Sequence, residues 1–268
     1  MTAPKKSYGQ HFLQDHSYVD RIVRVLAPTL SDTLLEIGPG EGALTLPLLA
    51  AAGHLVAIEL DGDLIPALRL RAAAVGNLEI IQADILQVDL AAVAQSRGTS
   101  RLRIVGNLPY YISSPILFHC IRHLAVIQDL HFMLQKEVVQ RMAACPGSKI
   151  YGRLSVMLQL ACRVDFLFDV PARAFRPPPK VDSAVVRMLP LDASERHDAS
   201  PEDVQLVVKA AFAQRRKTLS NALGQLLDPT AIRDADVDPR ARAETLEPAA
   251  FVRLAKTYAT HRRATPAA

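Results

Sequence analysis

From residue 33 onward, short apolar runs alternate with longer stretches of helical periodicity, and this alternation restricts the fold more than any other feature of the chain. The apolar runs have the length and composition of strands: TLLEIG, HLVAIEL, LEIIQA, RLRIVG and LHFML. Segments between them, such as LIPALRLRAAA and SPILFHCIRHL, have helical periodicity. Repeated strand–helix alternation predicts an α/β fold built on a doubly wound parallel sheet.

Two more strand-like runs follow the alternating region. CRVDFLFDV and VDSAVVRML are separated by the proline-rich segment AFRPPPK. Prolines stiffen a connection because each fixes its own φ angle. After several strand–helix units, these runs predict an antiparallel pair that closes one edge of the sheet.

Composition changes after Pro190. The segment LDASERHDASPED is polar and ends in a helix-start signal, and the remaining sequence has helical periodicity without a strand signal. We therefore predict a first domain over residues 1–191 and a small, all-helical domain over residues 192–268.

Composition excludes several classes of protein. Half of the 268 residues are hydrophobic and 22% are charged, which is typical of a globular protein. The N-terminus has no secretory signal, and no apolar run approaches the ~18 residues of a membrane span, so we expect a cytoplasmic protein. Cys120, Cys145 and Cys162 lie in apolar surroundings, which favours buried, reduced thiols over a disulfide frame or a metal site.

The positive charge is concentrated at one end of the chain. Residues 1–170 hold 15 Lys and Arg against 15 Asp and Glu, whereas residues 171–268 hold 16 against 12. With a net charge of +4 and a pI of about 9.0, the excess is compatible with a polyanionic partner. An ordinary solvated surface explains it equally well.

A glycine-rich turn follows the first predicted strand. Gly38, Gly40 and Gly42 in EIGPGEG allow the backbone to approach a ligand closely, and the following helix start offers unpaired N–H groups. Glu59 ends the second strand, 21 residues after Gly38, where a carboxylate can accept both hydroxyls of a ribose. Asp84 ends the third strand. This arrangement predicts a nucleotide-containing ligand.

The turn alone does not identify the nucleotide. Gly38-x-Gly40-x-x-Ala43, with an acid about 20 residues later, also fits the nicotinamide dinucleotide fingerprint. Glu36 favours another ligand, because an acid is unwelcome beside a pyrophosphate but suits a positive sulfonium and an amino group. Together these residues resemble the Rossmann-like fold of S-adenosylmethionine methyltransferases, and a dehydrogenase remains the alternative.

Asn107-Leu108-Pro109-Tyr110 ends the fourth strand, beside the expected position of the cofactor methyl group. An exocyclic adenine amine is a poor nucleophile because its lone pair is delocalised. The Asn107 amide oxygen and the Leu108 carbonyl, held extended by Pro109, can accept its two hydrogens and turn the lone pair toward the methyl group. Tyr110 offers a ring face for a flipped base. In isolation the same residues would also suit a turn at a sheet edge.

At this point the sequence resembles the rRNA adenine N6,N6-dimethyltransferases of the KsgA type. The likeness runs through KSYGQHFLQD, EIGPGEG, ADIL, NLPY, QKEVVQRM, YGRLSV and FRPPPKVDSAVVRM in the family's order. It implies methylation of two adjacent adenines near the 3′ end of small-subunit rRNA, with S-adenosylmethionine as cofactor and a role in small-subunit biogenesis. The expected substrate is a partly assembled small subunit, and the expected enzyme is a monomer that has no membrane partner.

The resemblance also implies roles for individual residues. Gln10, His11, Leu13 and Ile85 are expected to contact the cofactor, and Phe175 resembles a second aromatic that holds the target base. The sequence departs from the family's usual Asn-Leu-Pro-Tyr-Asn-Ile-Ser-Thr-Pro at Tyr111 and Ser114, in the wall of the pocket.

RNA contacts are predicted in two places. The segment AAFAQRRKTLSNAL, from Ala210 to Leu223, has an amphipathic helix pattern that is broken by Arg215-Arg216-Lys217, and it matches a recognisable segment of the family. Its cations Arg215, Arg216 and Lys217 are candidates for phosphate contacts, although a solvated helix face is the usual reason for such a run. Further candidates around the pocket mouth are Lys5, Lys6, Arg176 and Lys180.

Two alternatives to the main interpretation remain open beside the dehydrogenase. One is a dimethyltransferase of large-subunit rRNA of the antibiotic-resistance type, which shares the glycine turn and the N-x-P-Y motif. PKVDS and the length of the helical region argue against it. The other is a non-enzymatic ribosome-assembly factor, against which the intact Gly38, Glu59, Asp84 and Asn107 argue.

Overall fold

The computed structural model describes residues 10–214 and 216–264. Its strands are β1 (Phe12–Leu13), β2 (Thr33–Ile37), β3 (His54–Glu59), β4 (Asn77–Gln82), β5 (Leu102–Asn107), β6 (Ile127–Gln135), β7 (Cys162–Val170), β8 (Phe175–Arg176) and β9 (Ser183–Pro190). Its helices are α1 (His16–Leu26), α2 (Thr45–Ala52), α3 (Ile65–Ala72), α4 (Leu90–Ser96), α5 (Ser113–Arg122), α6 (Lys136–Met142), α7 (Arg153–Gln159), α8 (Pro201–Ala213), α9 (Leu219–Ala222), α10 (Pro229–Asp234) and α11 (Pro248–Ala264). Across these ranges, none of the helices has the length and apolarity that a bilayer span requires.

The main sheet has the strand order β4-β3-β2-β5-β6-β9-β7. Strands β2 to β6 pair in parallel, and β9 pairs antiparallel to β6. The α/β prediction is therefore confirmed, including the five parallel strands. The strand order reverses beside β2, where β3 lies on one side and β5 on the other. In such sheets, ligands bind at the carboxyl ends of the strands next to this reversal.

The parallel strands are covered on both faces. Leu55, Val56 and Ala57 of β3 are consecutive and fully buried. Because successive side chains point to opposite faces of a strand, burial of all three requires packing on both sides. On one side, residues of α1 and α2 belong to the core cluster. Because both faces of these strands are buried, their sequences are continuous apolar runs.

A separate two-stranded pairing holds the N-terminal segment. β1 pairs antiparallel to β8, with Phe12 opposite Arg176 and Leu13 opposite Phe175. The N–H of Gln14 also donates to the carbonyl of Ala174 at 2.8 Å. These contacts fix the described part of the N-terminal segment at the start of the first unit, a pairing that the sequence did not indicate.

The described residues form two compact units. The first contains residues 10–139 and 165–190, and the second contains residues 140–164 and 191–264. The second unit is helical, and its core includes Val207, Leu219, Ile232 and Phe251. It takes in the segment with α7 in addition to the residues after 191. The domain limits 1–191 and 192–268 stay a prediction.

The prediction of buried cysteines holds for Cys120 and Cys162 and is wrong for Cys145, whose side chain is exposed.

The helix pattern predicted from Ala210 to Leu223 is divided between two helices in the structure. α8 ends at Ala213, and α9 begins only at Leu219. The N–H groups of Leu219 and Ser220 donate to the carbonyls of Ala241 and Pro239, at 2.9 and 3.0 Å. These tertiary bonds use the donors that a continuing helix would need, and residues 214 and 216–218 are not helical.

Candidate active site

A cavity in the first unit lies at the carboxyl ends of the parallel strands. Its walls come from the ends of β2, β3, β4 and β5 and from the N-terminal segment. Most of the site residues predicted from the sequence line it: Gln10, His11, Leu13, Glu36, Gly38, Gly40, Glu59, Asp84, Ile85, Asn107, Leu108, Pro109 and Tyr110. Because the parallel strands end at the same edge of the sheet, residues that lie far apart in sequence meet in this cavity.

The glycine turn has the backbone conformation that glycine favours. Gly38 and Gly40 have φ angles of +68° and +57°, which L side chains rarely adopt. A Cβ on Gly40 would also lie 3.0 Å from Cε1 of Phe12. The N–H of Gly40 donates to Oε2 of Glu59 at 3.1 Å, so the turn is tied to the end of β3.

Two carboxylates on the cavity wall are fixed by backbone donors. Oε1 of Glu59 accepts from the N–H of Asp61 at 2.8 Å, while its other oxygen accepts from Gly40. Burial raises the pKa of Glu59, and these backbone hydrogen bonds act in the opposite direction. Oδ1 of Asp84 accepts from the N–H of Leu86 at 2.9 Å, at the start of a short 3₁₀ turn. Each carboxylate is therefore oriented and keeps acceptor capacity for a ligand.

Glu36 is the most deeply buried acid of the cavity. Its side chain is only 2% exposed, and its Oε2 atom has no hydrogen-bond partner among the described residues. Burial raises the pKa of Glu36 to about 8. A buried carboxylate with an unpartnered oxygen fits a ligand that carries positive charge, because such a ligand favours the ionised form. A sulfonium with a neighbouring ammonium group meets that requirement.

The side chain of Asn107 has a defined orientation. Its Nδ2 donates to the main-chain carbonyl of His11 at 2.9 Å. A carbonyl oxygen accepts only, so the amide nitrogen must face His11 and Oδ1 is the acceptor that this side chain offers to a ligand. The next residue, Leu108, is anchored through its N–H, which donates to the Met133 carbonyl at 3.1 Å.

Tyr110 is held at its hydroxyl and on one ring face. Its hydroxyl shares a hydrogen bond of 2.6 Å with Oγ of Ser183. The imidazole of His11 stacks on the ring, with centroids 5.7 Å apart and an angle of 27° between the planes. The Nδ1–H of His11 donates to the Pro177 carbonyl at 2.8 Å, which fixes the imidazole as well. Burial raises the pKa of Tyr110, so its phenol stays protonated.

Phe175 is not brought to this cavity. Its side chain is 4% exposed and belongs to the core cluster that contains Leu13 and Val185. Of the described residues, the aromatic side chains on the cavity wall are those of His11, Phe12, Tyr110 and Tyr111. Tyr111 is 56% exposed. The structure therefore places Phe175 in the core and not on the cavity wall, where the resemblance had placed it.

The residues predicted to contact RNA are described only in part. Arg176 and Lys180 are exposed in the first unit, and Arg216 and Lys217 are exposed between α8 and α9 in the second. Lys5, Lys6 and Arg215 lie outside the described residues.

Sequence reasoning missed the residues that support the site. They are Asp61, which accepts a hydrogen bond from Gln10 at 3.0 Å, the main-chain carbonyl of His11, and Ser183. Asp61 follows the end of a predicted strand, so its place at the site could have been predicted from the sequence. The other two depend on pairing between distant segments, for which the sequence carries no local signal.

Solved structures with a similar fold include two transferases. A dimethyladenosine transferase from Plasmodium falciparum is similar with a TM-score of 0.78 and 26% identity, covering 91% of this chain and 96% of that one. A 23S rRNA methyltransferase, ErmE, is similar with a TM-score of 0.72 and 26% identity, covering 92% and 99%.

Sequence relatives are closer in identity than these structures. A ribosomal RNA small subunit methyltransferase A from Xylella fastidiosa is 53% identical over 259 residues, which is 97% of each chain. The protein of that name from Xanthomonas oryzae is 58% identical over 251 residues, covering 94% of this chain and 95% of the relative. The family model for ribosomal RNA adenine dimethylases matches residues 1–260. With the cavity and its strand-end residues, these matches show that the chain belongs to the ribosomal RNA adenine dimethylase family.

Proposed function

We propose that this protein transfers methyl groups from S-adenosylmethionine to the N6 amines of two adjacent adenines near the 3′ end of small-subunit rRNA. The product is N6,N6-dimethyladenine. Membership of the adenine dimethylase family and 53–58% identity to small-subunit methyltransferases support this reaction. The structural observation that carries the proposal is the oriented amide of Asn107 at the end of β5, within the cavity that holds the glycine turn.

The cavity residues suit S-adenosylmethionine. When bound, it supplies an electrophilic methyl group on a positively charged sulfur. Glu59 would accept the ribose hydroxyls, and Asp84 would accept from the adenine amine of the cofactor. Glu36 would face the positive charge of the methionine moiety, and the lack of a partner for its Oε2 atom among the described residues supports this role. Gln10, His11, Leu13 and Ile85 would enclose the cofactor from the remaining walls.

Asn107 and Leu108 orient the target amine. Oδ1 of Asn107 accepts one N–H of the amine, and the main-chain carbonyl of Leu108 accepts the other. These contacts draw the hydrogens to one side and direct the nitrogen lone pair toward the methyl group, which lowers the barrier through orientation. Tyr110 stacks on the flipped base. No general base is assigned, because the amine becomes acidic as it is methylated.

RNA would be held by cations outside the cavity. Arg176 and Lys180 in the first unit and Arg215, Arg216 and Lys217 in the second are proposed to contact phosphates. Phosphate contacts position the RNA without reading its sequence. The substrate is proposed to be rRNA in a partly assembled small subunit, bound by a monomeric enzyme in the cytoplasm.

The two rival functions within the same fold are less well supported. ErmE, which acts on 23S rRNA, is 26% identical, about half the identity of the small-subunit relatives. A purely structural assembly factor would not need an oriented Asn107, yet this amide is fixed at 2.9 Å.

The test compares two substrates in one assay. Small and large subunits that lack the modification are incubated with the protein and radiolabelled S-adenosylmethionine, and dimethyladenine is mapped by mass spectrometry. We expect two adjacent dimethyladenines in small-subunit rRNA, and none with Asn107→Ala. Label in the large subunit, or no label with the native protein, would contradict the proposal.

A further inference from the structure

The imidazole of His11 occupies one face of the Tyr110 ring, so a stacked base would have to use the opposite face. The two ring centroids lie 5.7 Å apart, and Ser183 bonds the Tyr110 hydroxyl at 2.6 Å. An offset stack at this distance is a favourable aromatic arrangement. The remaining face is therefore presented in a plane that two other residues determine.

Ser183 reaches this position because of the sheet topology. β9 begins at Ser183 and runs antiparallel to β6, with Ser183 opposite Gln135, the last residue of β6. The first residue of an antiparallel strand lies at the edge where the parallel strands end. That edge holds the cavity, so β9 contributes its first side chain there. Ser183 is fully buried.

The backbone before Ser183 is anchored on two sides. The side chain of Asp182 accepts from the N–H of Ala172 at 2.9 Å. Its main-chain carbonyl accepts from the N–H of Lys136, the first residue of α6, at 3.0 Å. The position of Ser183 is therefore fixed, and its hydroxyl can hold the hydroxyl of Tyr110 by a hydrogen bond. The sequence motif PKVDS contains both residues.

We propose that Ser183 is a positioning residue of the methyl transfer, which acts by fixing the direction of the long axis of the Tyr110 ring so that the stacked adenine presents its amine to Asn107. The proposal rests on the proposed function. Rotation of the Tyr110 ring about its Cβ–Cγ bond has a broad energy minimum, and the stacked imidazole of His11 limits that rotation. A hydrogen bond at the far end of the ring narrows the tilt of the side chain, and small displacements of a reacting group lower the rate strongly.

The experiment removes the hydrogen bond between Ser183 and Tyr110 by changing each partner in turn. Ser183→Ala, Tyr110→Phe and the double variant are made in the full chain. Each is tested for single-turnover methylation of undermethylated small subunits and for S-adenosylmethionine affinity by calorimetry. We expect each single variant to lower the methylation rate by about three- to tenfold, because one hydrogen bond is lost. The double variant is expected to match the single ones, since they remove the same bond, with cofactor affinity unchanged.

Two further variants separate positioning from folding. Ser183→Thr keeps a hydroxyl and is expected to restore most of the rate. Ser155→Ala removes another fully buried serine hydroxyl, which donates to the Arg141 carbonyl in the second unit. It should lower stability and leave the methylation rate unchanged.

The outcomes distinguish the inference from the proposed function. Wild-type rates for folded Ser183→Ala, or multiplying effects in the double variant, would overturn the role of Ser183. Should Ser183→Ala fail to fold, a wild-type rate for Tyr110→Phe would overturn it equally. If the native protein itself transfers no methyl group, the proposed function and the inference fall together.

Discussion

Nδ2 of Asn107 donates to the main-chain carbonyl of His11 at 2.9 Å, which links the end of β5 to the N-terminal segment. The segment is held in turn by the pairing of β1 with β8. Orientation of the proposed catalytic amide therefore depends on a strand pair formed by residues more than 160 positions apart in sequence. The N-terminal segment therefore lines the cavity and also fixes the orientation of Asn107.

The first prediction concerns Asn107. Asn107→Ala removes the acceptor for the target amine, so we expect turnover to fall by about 100-fold or more, the range for a lost orienting or charge-stabilising contact. RNA affinity should stay near that of the native protein, because the amide acts mainly on the way to the transition state. Steady-state methylation and filter binding measure the two quantities. Native turnover in a folded variant would refute the mechanism.

The second prediction concerns cofactor affinity. Glu59→Ala should weaken S-adenosylmethionine binding by about 1.5–3 kcal/mol, because hydrogen bonds to a charged group are lost. Calorimetry measures the affinity directly. Glu137→Ala is the matched control, since Glu137 is an exposed glutamate of the same unit that does not line the cavity. Equal affinities for the two variants would show that Glu59 does not hold the ribose.

The sequence was most informative where the geometry of a parallel sheet applies. Glu59, Asp84 and Asn107 each end a predicted strand, and all three line one cavity. This outcome needs only correct strands and a parallel arrangement, since the carboxyl ends then meet at one edge. The burial of Leu55, Val56 and Ala57 explains why these strands were recognisable as apolar runs.

Contacts between distant segments were not predictable in the same way. The break between α8 and α9 comes from bonds between Leu219 and Ala241 and between Ser220 and Pro239. The local sequence has helical periodicity, and nothing within it indicates those partners. The position of Phe175 follows likewise from the pairing of β8 with β1, which turns its ring into the core.

The third prediction is a pH dependence that originates at Glu36. Its folded-state pKa is raised from 4.5 to about 8, so the folded protein binds a proton that the unfolded chain releases. The contribution of Glu36 to stability is therefore complete below pH 4.5 and is lost as pH rises through about 8. The loss has a maximal slope of about 1.4 kcal/mol per pH unit.

Denaturant unfolding at several pH values tests this dependence. Glu36→Gln has no proton to lose, so its free energy of unfolding should fall less steeply between pH 5 and pH 8 than that of the native protein. A positively charged cofactor should lower the pKa of Glu36 and release a proton on binding near pH 7, which calorimetry in buffers of different ionisation enthalpy detects. Parallel stability curves for the two proteins would show that Glu36 is not the titrating group.

The last prediction concerns RNA binding by the connection between α8 and α9. Arg216 and Lys217 are exposed there, and the prediction extends to Arg215. Each phosphate contact contributes about 0.7–0.9 to the slope of log affinity against log salt. Replacing all three cations with Ala should flatten that slope by up to about 2–3, leaving cofactor affinity unchanged because the cavity residues belong to the first unit.

A matched variant shows whether position or total charge matters. Lys209→Ala with Arg233→Ala removes two exposed cations of the same unit, from α8 and α10. If the connection between α8 and α9 binds RNA, the double variant should change the slope of log affinity against log salt much less than the triple replacement does. An unaltered slope in the triple variant, with its helical content intact by circular dichroism, would mean that these cations face only water. The phosphate contacts would then have to come from other cations, of which Arg176 and Lys180 near the cavity are the next to test.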